Sequence, residues 1–390
     1  MAVSDPLYSI ILAGGKGRRM RSRDKHKVCF EIAGVPAIIR AIDAYNRLGV
    51  VLNVVVVGDL AAQVVETVGR RFSNVVYAYQ PEARGTGDAA RCGLQALATA
   101  DDRARILVVA GDKLIASATL SRLLDQSERT KSDLSILVTP AQIAAPSAGR
   151  VLFRPDGSPL AIVEMSDIRL RACRQELSKF LETAVEDETA LLTEIIARHL
   201  GSTPSLTTLL GINRGNGEMT ESVSWEELCT RLCQVPQDFR FGPNDQVVGA
   251  AEALHSRFCN ESVYLVRKGA LRYGLNHMPT DNAQGEEYLT DAIGAILPAG
   301  GDEGRRYIAS FLATERPGEV LSYNNPEELL VIEDRLQGQR RRALDQLSER
   351  LGREDFASWT SGSSSFRTTI SRSRLPTKSC ARTTAMTAGS

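Results

Sequence analysis

Cysteine pairs, histidine clusters and net charge are all missing from this sequence. The seven cysteines are an odd number and include no Cys-x-x-Cys pair, which indicates a reduced protein rather than a disulfide framework. Cys229 and Cys233 lie one helical turn apart, but the four histidines supply no spaced partners for a zinc site. The 47 basic residues balance the 47 acidic ones, so no overall charge favours nucleic acid or an anionic membrane as a partner.

Long apolar runs and internal repeats are missing as well. Nowhere do about eighteen apolar residues run together, and the start "MAVSDPLYSIILAGG" has neither the basic end nor the apolar stretch of a leader. We therefore expect a cytoplasmic protein that is neither exported nor membrane-spanning. There is no hexapeptide pattern of a β-helix, and from about Ser358 the chain has few large apolar residues, so we expect that last segment to be disordered.

What the sequence does contain is a regular alternation of short β-branched runs with helical patterns. This order predicts an α/β fold built on a doubly wound, mostly parallel, Rossmann-like sheet. The predicted strands are residues 8–12, 50–58, 74–80, 105–112 and 133–141, and the predicted helices are residues 36–48, 59–72, 87–98 and 116–127. Ligands bind such sheets beyond the carboxyl ends of the strands, where the loop after the first strand, the loop "QPEARGTG" and Gly111-Asp112 fall.

The rhythm of the sequence changes after the fifth predicted strand. Two shorter runs, residues 149–154 and 159–164, are joined by "PDGS" and predict a hairpin. Residues 168–257 are mostly helical by pattern, with a capping box formed by Ser224 and Glu227. This region is interpreted as an inserted helical subdomain.

Strand character returns after the insertion, at residues 261–267 and 307–312. A long polar helix follows, with Asn325 as its N-cap and Pro326 in its first turn. The expected organisation is a core in two parts, residues 1–167 and 258–355, with an insertion at 168–257 and a tail at 356–390.

The stretch "IILAGGKGRRM" breaks from apolar residues into glycines and then into basic residues. A Walker loop needs Lys directly before Ser or Thr, whereas Lys16 lies between Gly15 and Gly17. A dinucleotide fingerprint needs glycine where Met20 stands. Neither motif is therefore present. The glycines still leave their backbone N–H groups open to an anion, and a lysine and two arginines lie next to them, so the stretch predicts a phosphate-binding loop.

Eight sequence blocks taken together resemble a known family. The order "LAGGKGRRM", "HKVCFEIAGVP", "QPEARGTGDA", "VVAGD", "AGRV" and "AIVEMSD" is similar to that of the sugar-1-phosphate nucleotidyltransferases. The later "NAQGEEYLTDAI" and "YNNPEELLVIEDRL" resemble the uridylyltransferase half of the bacterial bifunctional enzyme that makes UDP-N-acetylglucosamine. The resemblance covers about 12–165 and 258–337. It does not extend to the acetyltransferase β-helix, so we expect acetyl transfer to be missing.

The resemblance implies that a sugar-1-phosphate oxygen attacks the α-phosphorus of a nucleoside triphosphate and that pyrophosphate leaves. It implies the partners, a nucleoside triphosphate and a sugar-1-phosphate, and the cofactor Mg²⁺. The implied catalytic residues are Lys16, Arg19 and Lys27, and the implied metal ligands are Asp112 and Asn324. The implied nucleotide-binding residues are Ala13, Gly14, Gly15, Gly17, Gln80, Gly85 and Thr86. The implied sugar-binding residues are Gly149, Glu164 and Asn260.

Two departures from the family pattern leave alternatives open. Lys113 stands where the family usually has an apolar residue, and it would either weaken Mg²⁺ binding or contact phosphate. Glu261 and Ser262 replace the usual Thr-Gly after Asn260. A catalytically silent homologue that binds nucleotide sugars is therefore a second hypothesis, and a pyrophosphorylase for another nucleotide and sugar is a third.

Three further expectations concern function and assembly. A glycosyltransferase of related architecture would need an Asp-x-Asp motif, which Gly111-Asp112-Lys113 does not provide. The block "NAQGEEYLTDAI" is expected to support the sugar side of the site rather than to react. The insertion and the C-terminal helix are the candidate surfaces for a homo-oligomer.

Overall fold

The structure is a computed structural model that describes residues 5–15, 17–183, 188–200, 230, 234–241, 246–278, 286–297 and 306–351. The strands are β1 (Leu7–Ala13), β2 (Glu31–Ile32), β3 (Val35–Pro36), β4 (Leu52–Val57), β5 (Val75–Tyr79), β6 (Arg105–Ala110), β7 (Leu114–Ile115), β8 (Leu134–Pro140), β9 (Arg150–Phe153), β10 (Pro159–Val163), β11 (Asp238–Phe241), β12 (Gln246–Gly249), β13 (Phe258–Arg267), β14 (Ala309–Ala313) and β15 (Val320–Leu321). The helices are α1 (Ala37–Arg47), α2 (Ala61–Gly69), α3 (Thr86–Gln95), α4 (Ser117–Thr130), α5 (Met165–Thr183), α6 (Glu188–Leu200), α7 (Ala250–Leu254), α8 (Lys268–His277), α9 (Leu289–Ile296) and α10 (Pro326–Leu351).

A mixed sheet forms the centre of the fold. Its strand order is β10-β9-β13-β6-β1-β4-β5, with β8 pairing both β13 and β14. Strands β6, β1, β4 and β5 are parallel neighbours, and β14 runs parallel to β8. Strand β13 is antiparallel to β6, β8 and β9. The predicted α/β class with a doubly wound, mostly parallel sheet is confirmed, and β13 is the antiparallel strand that joins its two parts.

The parallel strands are mostly apolar because helices cover both faces of the sheet. Ile11, Val55 and Leu107 face one layer, where they pack with the buried residues of α1, α2 and α4. The alternate residues, such as Ile10 and Val108, face the other layer, formed by α3, α8 and α9. A two-sided core of this kind holds the strand ends rigidly, and the loops that follow those ends are positioned accordingly.

The region from β9 to α7 packs a smaller hydrophobic cluster at the edge of the main sheet that β9 and β10 form. The predicted hairpin is confirmed, since β9 and β10 pair antiparallel. Leu152 and Met165 pack there with Phe239 and Val248, which belong to a second antiparallel hairpin, β11–β12. That second hairpin lies inside the region predicted to be mostly helical and was not expected. The proposed capping box at residues 224 and 227 lies outside the described residues.

The last described helix begins as the sequence predicts. Asn325 Oδ1 accepts a hydrogen bond from the Glu328 backbone N–H at 2.8 Å, and Pro326 is the first helical residue. Internal contacts divide the chain into two units, Met1–Ile332 and Glu333–Ser390. The candidate site described below lies within the first unit. Among the described residues, no helix is both long enough and apolar enough to cross a membrane.

Candidate functional site

The glycine loop leaves the carboxyl end of β1, the central parallel strand. Ala13 ends this strand, and Gly14 lies so close to Gln80 that a Cβ atom on residue 14 would be 2.5 Å from the Gln80 Oε1 atom. Only glycine fits there without moving Gln80. Gly17 adopts a positive φ of 55°, and its carbonyl accepts a hydrogen bond from the Met20 N–H at 2.9 Å. Lys16 lies outside the described residues.

Four polar side chains meet beside this loop. The Lys27 ammonium contacts the Asp112 carboxylate and lies 3.1 Å from Asn324 Oδ1. Arg19 donates to the same Asn324 oxygen at 2.9 Å. The side chains of Lys27 and Asp112 are only 17% and 12% exposed, so this ion pair lies on the floor of a crevice rather than on an open surface.

Each member of this cluster is delivered by a different element. Asp112 follows the end of β6, and the N–H of Gly111 is bonded to the Leu12 carbonyl of β1 at 2.9 Å. Asn324 lies just before the N-cap residue of α10, Asn325. The sequence predicted Asp112 at a strand end, and the structure brings it together with Lys27, Arg19 and Asn324 across nearly the whole first unit.

The backbone of Lys27 is held from two sides. Lys27 lies in a short 3-10 helix in which the His26 Nδ1 atom accepts from the Val28 N–H at 3.3 Å. The Tyr323 hydroxyl donates to the Lys27 carbonyl at 2.5 Å, and the ammonium lies 5.5 Å from the centre of that ring. Burial lowers the pKa of His26 and raises the pKa of Tyr323, so both side chains are neutral at pH 7. Neither side chain therefore adds a charge beside the polar cluster.

The donor set of this cluster fits Mg²⁺. Asp112 and Asn324 each direct one hard oxygen at the same cation, the Lys27 ammonium. Mg²⁺ prefers oxygen ligands, keeps several waters, and takes few ligands from protein when phosphate supplies the others. Within the described part of the chain, no group of three or more His, Cys, Asp or Glu side chains forms a metal cage. A site with two protein oxygens is consistent with that finding.

The loop "QPEARGTG" is held by the segment before α9. Gly85 has a φ of 127°, and a Cβ atom there would lie 2.4 Å from the Glu287 carbonyl oxygen. The Gly87 N–H donates to that carbonyl at 2.7 Å, and the Glu287 N–H donates to the Arg84 carbonyl at 2.8 Å. Thr86 Oγ1 accepts from the Leu289 N–H at 3.0 Å. The described part of the block "NAQGEEYLTDAI" therefore supports the loop after β5, in addition to the sugar side where it was expected.

The three residues implied for sugar binding also lie together. The Gly149 carbonyl accepts from the Asn260 N–H at 2.9 Å, and a Cβ atom on residue 149 would lie 3.4 Å from Glu164 Oε2. Glu164 accepts a hydrogen bond from the Thr290 hydroxyl at 3.0 Å. Burial raises the pKa of the Glu164 carboxyl, and the Thr290 hydrogen bond opposes that rise. The Asn260 side chain donates to the Tyr264 hydroxyl at 2.7 Å.

The two departures from the family pattern meet each other in space. Lys113 Nζ lies 3.0 Å from Glu261 Oε2, and both side chains are 13% exposed. The ammonium of Lys113 is therefore paired with Glu261 and not with the neighbouring Asp112. Ser262 adopts a positive φ of 52°, a conformation that glycine adopts without strain, and the register of β13 against β8 shifts at this point.

Sequence reasoning missed several residues that complete these clusters. Tyr323, Thr290 and Asp88 are buried polar residues bonded to Lys27, Glu164 and Gln80, respectively. Their position in the sequence could have indicated them, because each lies inside one of the blocks that resemble the family. The sequence alone does not say which buried polar side chain a given residue will meet.

Comparisons with known proteins bear on the family resemblance and on the fold. Residues 9–192 match the family described as the MobA-like NTP transferase domain. The bifunctional protein GlmU of Mycolicibacterium gilvum is 31% identical over 301 residues, which cover 75% of this chain and 43% of that protein. GlmU of Sorangium cellulosum is 26% identical over 339 residues, which cover 85% of this chain and 52% of that protein. The chain thus spans about half the length of the curated relatives that it matches.

Solved structures share the fold at low sequence identity. A structure of UDP-glucose pyrophosphorylase complexed with UDP-glucose has a TM-score of 0.50 and 12% identity, covering 86% of this chain and 99% of that one. A structure from Bacillus anthracis assigned as a glucose-1-phosphate thymidylyltransferase, in complex with sucrose, has a TM-score of 0.51 and 14% identity, covering 84% of this chain and 94% of that one. These matches bear on the fold alone.

Proposed function

We propose that this chain, in which residues 9–192 match the MobA-like NTP transferase domain, is a nucleotidyltransferase that joins UTP and N-acetylglucosamine 1-phosphate, releasing UDP-N-acetylglucosamine and pyrophosphate. The observation that carries this proposal is the meeting of Lys27, Arg19, Asp112 and Asn324 at the carboxyl edge of the parallel strands. This cationic and oxygen-rich cluster lies beside the glycine loop and follows the strand next to β1.

The proposed reaction forms one phosphorus–oxygen bond and breaks another. An oxygen of the sugar phosphate attacks the α-phosphorus of UTP, and the bond from that phosphorus to the β-phosphate oxygen breaks as pyrophosphate leaves. Both reactants are polyanions, so the protein must neutralise their repulsion and align them. Lys27 and Arg19 would supply positive charge at the phosphates, and the backbone N–H groups at Gly14, Gly15 and Gly17 would bind the triphosphate, together with Lys16.

Asp112 and Asn324 would hold Mg²⁺ in this proposal. When bound, the ion would supply further charge neutralisation to the triphosphate. Lys27 now contacts both of these oxygens, so it would have to release them and turn its ammonium towards the phosphates. Its side chain has four rotatable bonds, and Tyr323 fixes only its backbone carbonyl, so this rearrangement requires no movement of the backbone.

The two flanking pockets would bind the base and the sugar. Gln80, Gly85 and Thr86 lie in the loop after β5, where the Gln80 amide would bind the edge of the pyrimidine. On the other side Glu164 and Asn260 would bind sugar hydroxyl and acetamido groups next to the Gly149 backbone. A carboxylate in a largely buried pocket needs such partners, since burial already raises the pKa of Glu164.

The test is a matrix of triphosphates and sugar phosphates. The full chain is incubated with Mg²⁺ and each pair drawn from UTP, dTTP, CTP, ATP and GTP, and from the 1-phosphates of N-acetylglucosamine, glucose and galactosamine. Pyrophosphate is measured by a coupled assay and the nucleotide sugar by mass spectrometry. The proposal requires product with UTP and N-acetylglucosamine 1-phosphate. A stronger product signal with another pair would instead support the hypothesis of a different substrate.

A catalytically silent homologue is the second candidate. The sequence favoured this hypothesis because Lys113 lies next to Asp112, the proposed metal ligand. In the structure, however, Lys113 is paired with Glu261, and Asp112 is paired with Lys27. Binding of UTP without formation of pyrophosphate from any pair in the matrix would support the silent homologue and would contradict the proposed reaction.

A further inference from the structure

The Gln80 side chain has its amide orientation fixed by two acceptors. Its Nε2 atom lies 2.9 Å from Asp88 Oδ2 and 3.1 Å from the Gly85 carbonyl oxygen. The Asp88 carboxylate, which also accepts from Arg84, and the backbone carbonyl are both hydrogen-bond acceptors, so the amide NH₂ group faces both of them. The orientation therefore follows from the chemistry of the partners and not only from the placement of atoms.

The amide oxygen consequently faces the nucleotide loop. A Cβ atom on Gly14 would lie 2.5 Å from Gln80 Oε1, so this oxygen lies directly against the loop. No hydrogen bond to Oε1 is formed by any residue that the structure describes. Gln80 is 6% exposed, and turning its amide over would bring Oε1 against the oxygens of Asp88 and Gly85. That arrangement would lose two hydrogen bonds and oppose like partial charges.

Asp88 is itself held in place by its surroundings. It lies in the first turn of α3, where the N-terminal end of the helix stabilises a negative charge. Arg84 donates to its other oxygen, Oδ1, at 2.9 Å, while Asp88 is only 2% exposed. One oxygen of the Asp88 carboxylate thus accepts a hydrogen bond from the exposed Arg84, and the other accepts one from Gln80.

We propose that Asp88 is a positioning residue that sets base selectivity by presenting Gln80 as a hydrogen-bond acceptor to the bound base. This inference rests on the proposed function, in which Gln80 binds the pyrimidine edge. Uracil and thymine carry an N3–H donor that such an acceptor can bind. Cytosine carries an unprotonated N3 acceptor there, which a fixed Oε1 would repel.

The test compares the affinities of UTP and CTP for the full chain and for Asp88→Asn. Dissociation constants are measured by calorimetry in Mg²⁺, so the readout does not require turnover. Asparagine has the same shape but can offer an N–H to Gln80, which lets the amide turn over. We expect the preference for UTP over CTP to fall by roughly 10- to 100-fold, the range of one lost hydrogen-bond discrimination. Asp125→Asn, an exposed Asp on α4, is the matched control and should leave the preference unchanged.

The outcomes separate a positioning role from a structural one. A loss of affinity that is equal for UTP and CTP in Asp88→Asn would overturn the inference, because a general loosening of the loop affects both bases alike. If the unmodified chain binds UTP and CTP equally, the inference is also overturned, although the proposed reaction stands as long as some triphosphate is turned over. If the chain binds no triphosphate and forms no pyrophosphate, both the inference about Asp88 and the proposed reaction are overturned.

A second measurement covers the case in which Asp88→Asn does not fold. The unmodified chain is titrated with 3-deazauridine triphosphate, which has a C–H in place of the N3–H donor. We expect it to bind roughly 10-fold or more weakly than UTP, because Gln80 Oε1 then has no donor to bind. Equal affinity for the two triphosphates would overturn the inference without any change to the protein.

Discussion

Replacing Lys27 by Met should destabilise the protein, and Mg²⁺ should reverse much of the effect. The substitution removes the cation between Asp112 and Asn324, which leaves a carboxylate that is 12% exposed without its partner. Breaking a buried pair costs about 3–5 kcal/mol and an exposed pair about 0–1 kcal/mol. The crevice floor lies between these cases, so we expect a loss of about 2–3 kcal/mol. Arg19 still satisfies the Asn324 oxygen, so the loss comes mainly from Asp112.

Thermal unfolding with and without Mg²⁺ measures this effect. A loss of that size corresponds to a decrease of about 2–4 °C in the Tm of a chain of this length. Excess Mg²⁺ should raise the Tm of Lys27→Met more than that of the unmodified chain, because no ammonium then competes with the metal ion. Mg²⁺ at a hundred times its Kd adds about 2.7 kcal/mol to the free energy of unfolding. Lys25→Met changes an exposed lysine two residues away and is the matched control. Equal Tm values and an equal response to Mg²⁺ in the unmodified chain and Lys27→Met would refute this reasoning.

Two further substitutions probe the sugar side of the site. Burial raises the pKa of Glu164 in the folded state. The protein should therefore lose stability as the pH rises from the ordinary carboxyl pKa of about 4.3 through the folded value. Glu164→Gln should remove that loss of stability and should be the more stable protein at pH 7. Urea unfolding from pH 4 to 8 checks this, and parallel curves for the two proteins would contradict it. Lys113→Met should cost about 2–3 kcal/mol because it leaves Glu261 without its cation, and adding Glu261→Met should restore most of that. A double-mutant cycle with no coupling energy would show that the pair does not act as a unit.

The core of the fold could be predicted from the sequence because its signals are local. Strands β1, β4 and β6 are largely buried on both faces, so their apolar runs mark them directly, and the N-cap at Asn325 is set by the residues that follow it. The hairpin β11–β12 was not anticipated, because its short strands are only partly buried and lie between helical patterns.

The candidate site could be predicted only in part. Blocks of the sequence indicated Lys27, Asp112 and Asn324, but their meeting depends on elements up to 297 residues apart. The pairing of Lys113 with Glu261 spans 148 residues and could not be derived from either residue. Local patterns do not encode which side chains the topology will place opposite one another.

In the proposed reaction, Asp112, which follows the end of β6, is required for nucleotidyl transfer at this edge of the sheet. The most direct measurement is the rate of pyrophosphate release from UTP and N-acetylglucosamine 1-phosphate by Asp112→Asn, compared with Asp59→Asn. Asp59 also follows a Gly at the end of a parallel strand, β4, but it is exposed and therefore provides a matched control. We expect that release requires both substrates, that Asp112→Asn lowers it at least 100-fold with the fold retained, and that Asp59→Asn leaves it near the unmodified rate. Release that is unchanged in Asp112→Asn would show that Asp112 does not take part in the reaction.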